Sequence, residues 1–292
     1  MMTVCSRTTG FFATTLFSTL ALANPDVTSR EYKLMLDASQ FTYQNEAVAV
    51  GQLLAAAEAA IESAIARDVS GSPVLAKQRD VRFFDTQGSC ELRQLGYSFR
   101  ERVENGQSEV TLKFRSPDRY ISDYEDLSST TSGSETKLEA DIGATSVVPF
   151  KVVYGHSTKA PNTRNLNEIK DVNHHFPGFE VDYGLSDSQS LSLVGNLVVR
   201  EHVYRGTEID LGQYDAQISV TLWYQGVPLG AQAPLIGELS FRYEDGSADY
   251  TRKVVSRAIR SFEALKSLSS WVSPDSQTKT AFVYGFNPAF CP

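Results

Sequence analysis

The chain has 292 residues and a formal charge of -8 at neutral pH; 41% of its residues are hydrophobic and 11% aromatic. That is enough apolar material for a sizeable core in one large or two small domains. The acidic balance argues against general nucleic-acid or anionic-membrane binding, so any anion site must be a local concentration of positive charge.

Residues 1–23 read as a secretory signal. Arg7 supplies a positive n-region, FFATTLFSTLALA an apolar h-region and Ala21-Leu22-Ala23 a small-x-small cleavage site. The alternative is a buried N-terminal helix. Cleavage would leave residues 24–292 as one exported domain, periplasmic or extracellular. No later stretch is long and apolar enough to span a bilayer, so no stable membrane insertion is expected. Two cysteines then remain, Cys90 and Cys291, as a disulfide or as two free thiols.

Ser29 to Asp37 alternates, with Glu31, Lys33 and Met35 against Tyr32, Leu34 and Leu36, and reads as a strand. Glu46 to Arg67 carries Leu53, Leu54, Ala57, Ile61 and Ile65 at helical spacing. SGSP at 70–73 reads as a break, and Val81 to Asp85 as a short strand.

The next stretch, GYSFRERVENGQSEVTLKFR, is a hairpin. Asn105-Gly106 suits a type I′ turn, which needs positive φ at both central positions. That loop pairs Glu104 with Gln107, Arg102 with Glu109, Arg100 with Thr111 and Ser98 with Lys113. One face then carries Ser98, Arg100, Arg102, Glu109, Thr111, Lys113 and Arg115. The other is apolar, with Glu101 the only intruder. The cationic face is either a solvated face or the wall of a polar cavity. Clustered cations repel, and an anion among them would relieve the repulsion.

Beyond it, Asp126 to Glu135 is a Ser/Thr-rich loop. Lys137, Glu139 and Asp141 then alternate against Leu138, Ala140 and Ile142. Val147 to Tyr154 reads as an edge or bulged strand because of Pro149. Residues 155–190 read as an irregular insertion with a short helix near Leu166 to Val172. Strands follow at Leu191 to His202, Ala216 to Tyr224 and Ile236 to Tyr243, and an amphipathic helix at Ala248 to Trp271. His174-His175 is read as structural, because adjacent side chains on a helix point apart. There is no Walker loop and no Gly-x-Ser-x-Gly elbow.

Val81 to Pro117 resembles the signature of the CYTH family, the triphosphate tunnel metalloenzymes. The matching pieces are Phe84-Asp85-Thr86, Leu92, Gly96, Phe99-Arg100-x-Arg102, Asn105-Gly106 and Thr111-Leu112-Lys113. SREYKLML resembles the family's opening Glu-x-Glu-x-Lys strand, and Thr278-Lys279 its late Ser-Lys element. The resemblance implies an α+β fold, an antiparallel eight-stranded tunnel β-barrel with helices packed outside. It implies a small phosphorylated anion as ligand, held by Lys33, Arg100, Arg102, Lys113, Arg200 and Lys279. Arg115 joins them by strand parity. It implies Mg²⁺ or Mn²⁺ on Glu31 and Glu238, with Glu139 a further candidate. The activity implied is metal-dependent hydrolysis of inorganic triphosphate or an organic tri- or polyphosphate; adenylate cyclase activity is a distant alternative for an exported chain. The sequence departs from the family at Ser29, Gln217, Ser219, Trp223 and Ser240, where carboxylates are expected. A catalytically degenerate binding protein for a phosphorylated anion is therefore the second reading.

Overall fold

The computed structural model describes residues 26–145, 147–273 and 277–292; the signal-peptide expectation falls outside these residues. In chain order the elements are β1 (Ser29–Leu36), α1 (Glu46–Ile65), β2 (Val69–Asp85), α2 (Glu91–Gln94), β3 (Tyr97–Glu104), β4 (Gln107–Ser116), α3 (Arg119–Tyr124), β5 (Glu135–Gly143) and β6 (Lys151–Pro161). Then come α4 (Ile169–His175), α5 (Pro177–Tyr183), β7 (Ser192–Leu193), β8 (Val199–Asp210), β9 (Asp215–Gln225), β10 (Ile236–Glu244), α6 (Arg252–Lys266) and α7 (Lys279–Phe286).

The strands form one ten-stranded sheet in the order β3-β4-β6-β5-β1-β10-β9-β8-β2-β7, and β2 also pairs with β3. That last pairing closes the sheet into a ring, with the two-residue β7 attached to β2 outside the circuit. Two expectations are corrected here. The strands are not eight, because the sheet also takes in β7 and the long β2. Nor are they all antiparallel: β1 and β5 run parallel. Between those two lie α1 and β2 to β4, so the connection is a crossover and not a hairpin.

The SGSP segment is not a break but part of β2, a 17-residue strand. It is bulged where it crosses β8, and Gly71 and Gly206 both have positive φ, at 91° and 109°. A Cβ on Gly71 would sit 2.0 Å from the Gly206 carbonyl oxygen, so the backbones approach too closely for any side chain.

Period-2 alternation decides which face of each strand is covered. Tyr32, Leu34, Val220, Leu239 and Phe241 point outward into a core completed by α1 and α6. The outward residues of the hairpin, Tyr97, Phe99, Leu112 and Phe114, pack on Phe176, at the junction of α4 and α5, and on Phe179 of α5. α1 is fastened by a buried carboxylate at its first residue. Glu46 accepts from Tyr204 Oη at 2.9 Å and Tyr224 Oη at 2.7 Å, and His202 Nδ1 lies 2.8 Å away. Three partners offset the cost of burying that charge.

A third apolar cluster has a different place. Val81, Phe83, Val199, Trp223 and Ile236 are buried with Val283 and Tyr284 of α7. By register Val81 and Phe83 share the inward face with Arg102 and Arg100. The cluster therefore forms an apolar floor at one end of the ring interior. Asp85 ties α7 to it: the buried carboxylate accepts from Tyr284 Oη at 2.7 Å and from the backbone N–H groups of Leu92 and Arg93. Cys90 and Cys291 are joined as a disulfide with Cα atoms 5.7 Å apart, which fixes the C-terminal tail beside the floor.

Candidate functional site

The hairpin forms in the expected register, Glu104 with Gln107 through Ser98 with Lys113. Asn105 and Gly106 have φ of 52° and 78°. Because its apolar face is covered by α4 and α5, its cationic face lines the ring interior. The same parity turns inward Lys33 and Glu31 on β1, Glu139 and Asp141 on β5, Glu201 and Arg205 on β8, and Glu238 and Arg242 on β10.

Two ion-pair groups organise this interior. In the first, Glu31, Glu139 and Asp141 place one carboxylate oxygen each within 4.8 Å of one another. Lys33 Nζ lies 2.8 Å from both Glu31 Oε2 and Asp141 Oδ1. Lys113 Nζ bonds Glu139 and lies 3.1 Å from Asp141 Oδ2, with Arg115 Nε 3.6 Å from the same atom. Gly155 makes room for that lysine: a Cβ there would sit 2.4 Å from Lys113 Cε.

Charges this close shift one another. Burial works against the charge on Glu139, but Lys113, Lys137 and Lys33 together outweigh it and hold the carboxyl at about 2. Asp141 is likewise held well below the usual carboxylate range, by Lys113 and Lys33 against burial. Burial opposes the charge on Lys33 too; Asp141 and Glu31 overcome it and keep the ammonium well above its ordinary value. For Lys113 burial wins and the value falls.

The second group surrounds Glu201, whose side chain is 1% exposed. It pairs with Arg79, accepts from Trp223 Nε1 at 3.0 Å and lies 3.6 Å from Arg102 Nη2. Lys279, the first residue of α7, reaches Glu238 at 2.7 Å, and its ammonium stands 5.6 Å from the Trp223 ring centroid.

Arg100 belongs to neither group. Among the described residues it has no carboxylate partner; its Nη2 donates to Thr111 Oγ1 at 3.3 Å and its buried Nε has no partner. Burial and the neighbouring cations, Arg102 first, push its pKa well below the ordinary guanidinium value, against a partial opposing pull from Glu201. A guanidinium facing other guanidiniums marks a place that favours an anion.

Of the residues singled out from sequence, Lys33, Arg100, Arg102, Lys113, Arg115, Lys279, Glu31, Glu139 and Glu238 come together in the interior. Arg200 does not. It is on the outer face, opposite Tyr224, with its Nε 3.2 Å from Asp80. The inward residue is its neighbour Glu201. Glu238 is also separated in role from the other two proposed metal ligands, since it pairs with Lys279 while Asp141 joins Glu31 and Glu139. Sequence reasoning missed Arg79, Glu201 and Arg205 as interior residues. Arg79 lies before the expected start of its strand and Arg205 beyond the expected end.

The closed ring, the charged interior and the outer helices match the arrangement implied by the hairpin motif. No protein-family model matches the sequence, and a search of curated proteins finds no match. Among solved structures, the chain is similar to a candidate adenylyl cyclase from Hippeastrum described as having a dominant triphosphatase activity. The identity is 14% over 89% of this chain and 97% of that one, with a TM-score of 0.43. It is similar to a candidate adenylate cyclase from Bacillus halodurans at 15% identity, 89% and 99% coverage and a TM-score of 0.39. The PH1819 protein of Pyrococcus horikoshii gives 10% identity, 85% and 94% coverage and a TM-score of 0.33.

Proposed function

We propose that the ring interior binds a small phosphorylated anion, inorganic triphosphate or an organic tri- or polyphosphate, and hydrolyses it with a divalent metal. The observation that carries the reading is Arg100, a half-buried guanidinium among cations that forms no ion pair with a carboxylate among the described residues. Phosphoryl oxygens supply several acceptors and the missing negative charge together. Arg115, whose ion-pair partner among the described residues is 3.6 Å away, and Lys113 extend the cationic wall along β4.

Glu31, Glu139 and Asp141 fit a hard cation such as Mg²⁺ or Mn²⁺, since all three offer oxygen donors within reach of one centre. A bound ion would neutralise phosphate oxygens and activate water. The chain's own contribution is to bind and orient. Arg100 and Arg115 fix the phosphates, Lys33 and Lys113 balance the carboxylates, and the apolar floor closes one end to water.

A second reading has its own observation. The ammonium groups of Lys33 and Lys113 already sit on the three carboxylates. A metal must displace or share with them, which favours anion binding without turnover. Phosphate release from triphosphate, ATP and thiamine triphosphate should be measured with Mg²⁺, Mn²⁺ or EDTA, using the wild type, Lys113→Ala and Glu31→Ala. Metal-dependent release lost in both variants supports hydrolysis. Binding without release, abolished only by Lys113→Ala, supports the binding protein. Neither binding nor release refutes both. Export is part of the same proposal, and the Cys90–Cys291 disulfide suits an oxidising compartment.

A further inference from the structure

Glu201 stands out among the interior carboxylates. The other charged groups of the ring keep some solvent access, yet Glu201 is 1% exposed and its partners are fixed. Its oxygens take the Arg79 Nε–H and the Trp223 indole N–H at 3.0 Å, with Arg102 Nη2 3.6 Å away. Trp223 and Val199 put it directly on the apolar floor. It therefore presents a permanent anion to two guanidiniums that face the same interior as Arg100. A carboxylate offers an arginine fork the same paired oxygens that a phosphoryl group does.

Resting on the phosphate-binding reading above, we propose that Glu201 is a specificity-determining residue. It is a built-in counter-anion that removes Arg79 and Arg102 from the cationic set and limits the length of the phosphate chain held. A chain that lengthens toward the floor meets a carboxylate, the Arg79 bonded to it, and Arg102, whose charge it already faces at 3.6 Å. Repulsion from Glu201 then cancels what another phosphoryl group would gain. Replacing Glu201 with glutamine keeps the shape and the hydrogen bond to Trp223 but removes the charge.

The test uses the purified protein in EDTA, with linear inorganic triphosphate and tetraphosphate as calorimetric probes. The wild type should bind the two alike. Glu201→Gln should prefer tetraphosphate by about tenfold, the worth of one charge-assisted hydrogen bond. An unchanged preference in a variant that still binds triphosphate overturns the role of Glu201 alone. Failure of the wild type to bind either probe overturns the phosphate reading as well. Trp223 gives a second readout, because the chain has only 2 tryptophans. In a Trp271→Phe background, tetraphosphate should move Trp223 emission no further than triphosphate does while Glu201 is present, and further in Glu201→Gln. A larger response to tetraphosphate with Glu201 in place overturns the proposal even if the glutamine variant fails to fold.

Discussion

Replacing Lys113 with methionine should destabilise the protein in a strongly pH-dependent way. Lys113 is the strongest of the cations that hold Glu139 at about 2 against an ordinary 4.5, and it also holds Asp141 low. For Glu139 alone that difference is worth about 3 kcal/mol. Its side chain is 6% exposed, so water screens little of the interaction. Lys137 at 2.5 Å remains in the variant and keeps part of it. The expected loss is about 2 kcal/mol at neutral pH. Because the folded-state value is depressed, the stabilisation is complete above the unfolded value near 4.5 and disappears as pH falls through about 2. Urea unfolding of wild type and variant from pH 7 down to pH 2.5 measures this directly. The two curves should converge as the pH falls. A stability difference that stays constant across the range would refute the claim that Lys113 acts through the charge of these carboxylates.

Gly71→Val should be severely destabilising, by more than about 3 kcal/mol, since it combines a positive-φ penalty with a collision against the Gly206 carbonyl; a thermal melt within a degree of wild type would contradict this. Replacing Cys90 and Cys291 together with serine should cost about 2–5 kcal/mol in denaturant unfolding, because their loop spans 201 residues. It should also weaken polyphosphate binding, since the bridge holds the tail behind α7 and Lys279. Binding unaffected by reduction would detach α7 from the site.

The hairpin was legible residue by residue because two independent signals agree there. The Asn105-Gly106 turn fixes the register, and the alternation fixes the faces. What the sequence could not say was where the cationic face points. That is settled by Phe176 and Phe179, aromatics in a segment whose helices were only half seen. Arg200 shows the opposite failure. Arg200 was placed in the site by the resemblance alone, within a strand read as Leu191 to His202 that also absorbed a two-residue strand and a helical turn; the register with β2 and β9 turns it outward. Adjacent residues of a strand lie on opposite faces, so placing Arg200 inside left its neighbour Glu201 out of the site. Asp141 was visible in the pattern, but only the parallel crossover pairing of β5 with β1 sets it against Glu31. Gly71 misled in a plainer way, since a bulge at a strand crossing uses the same residues as a turn.

The most direct test of a preformed anion site is Arg100→Met, followed by both stability and triphosphate binding. Removing an unneutralised, half-buried charge should leave stability unchanged or raise it by up to about 1 kcal/mol, while triphosphate affinity falls about tenfold or more. A variant that melts earlier and binds triphosphate as tightly as the wild type would show that Arg100 supports the fold and not an anion.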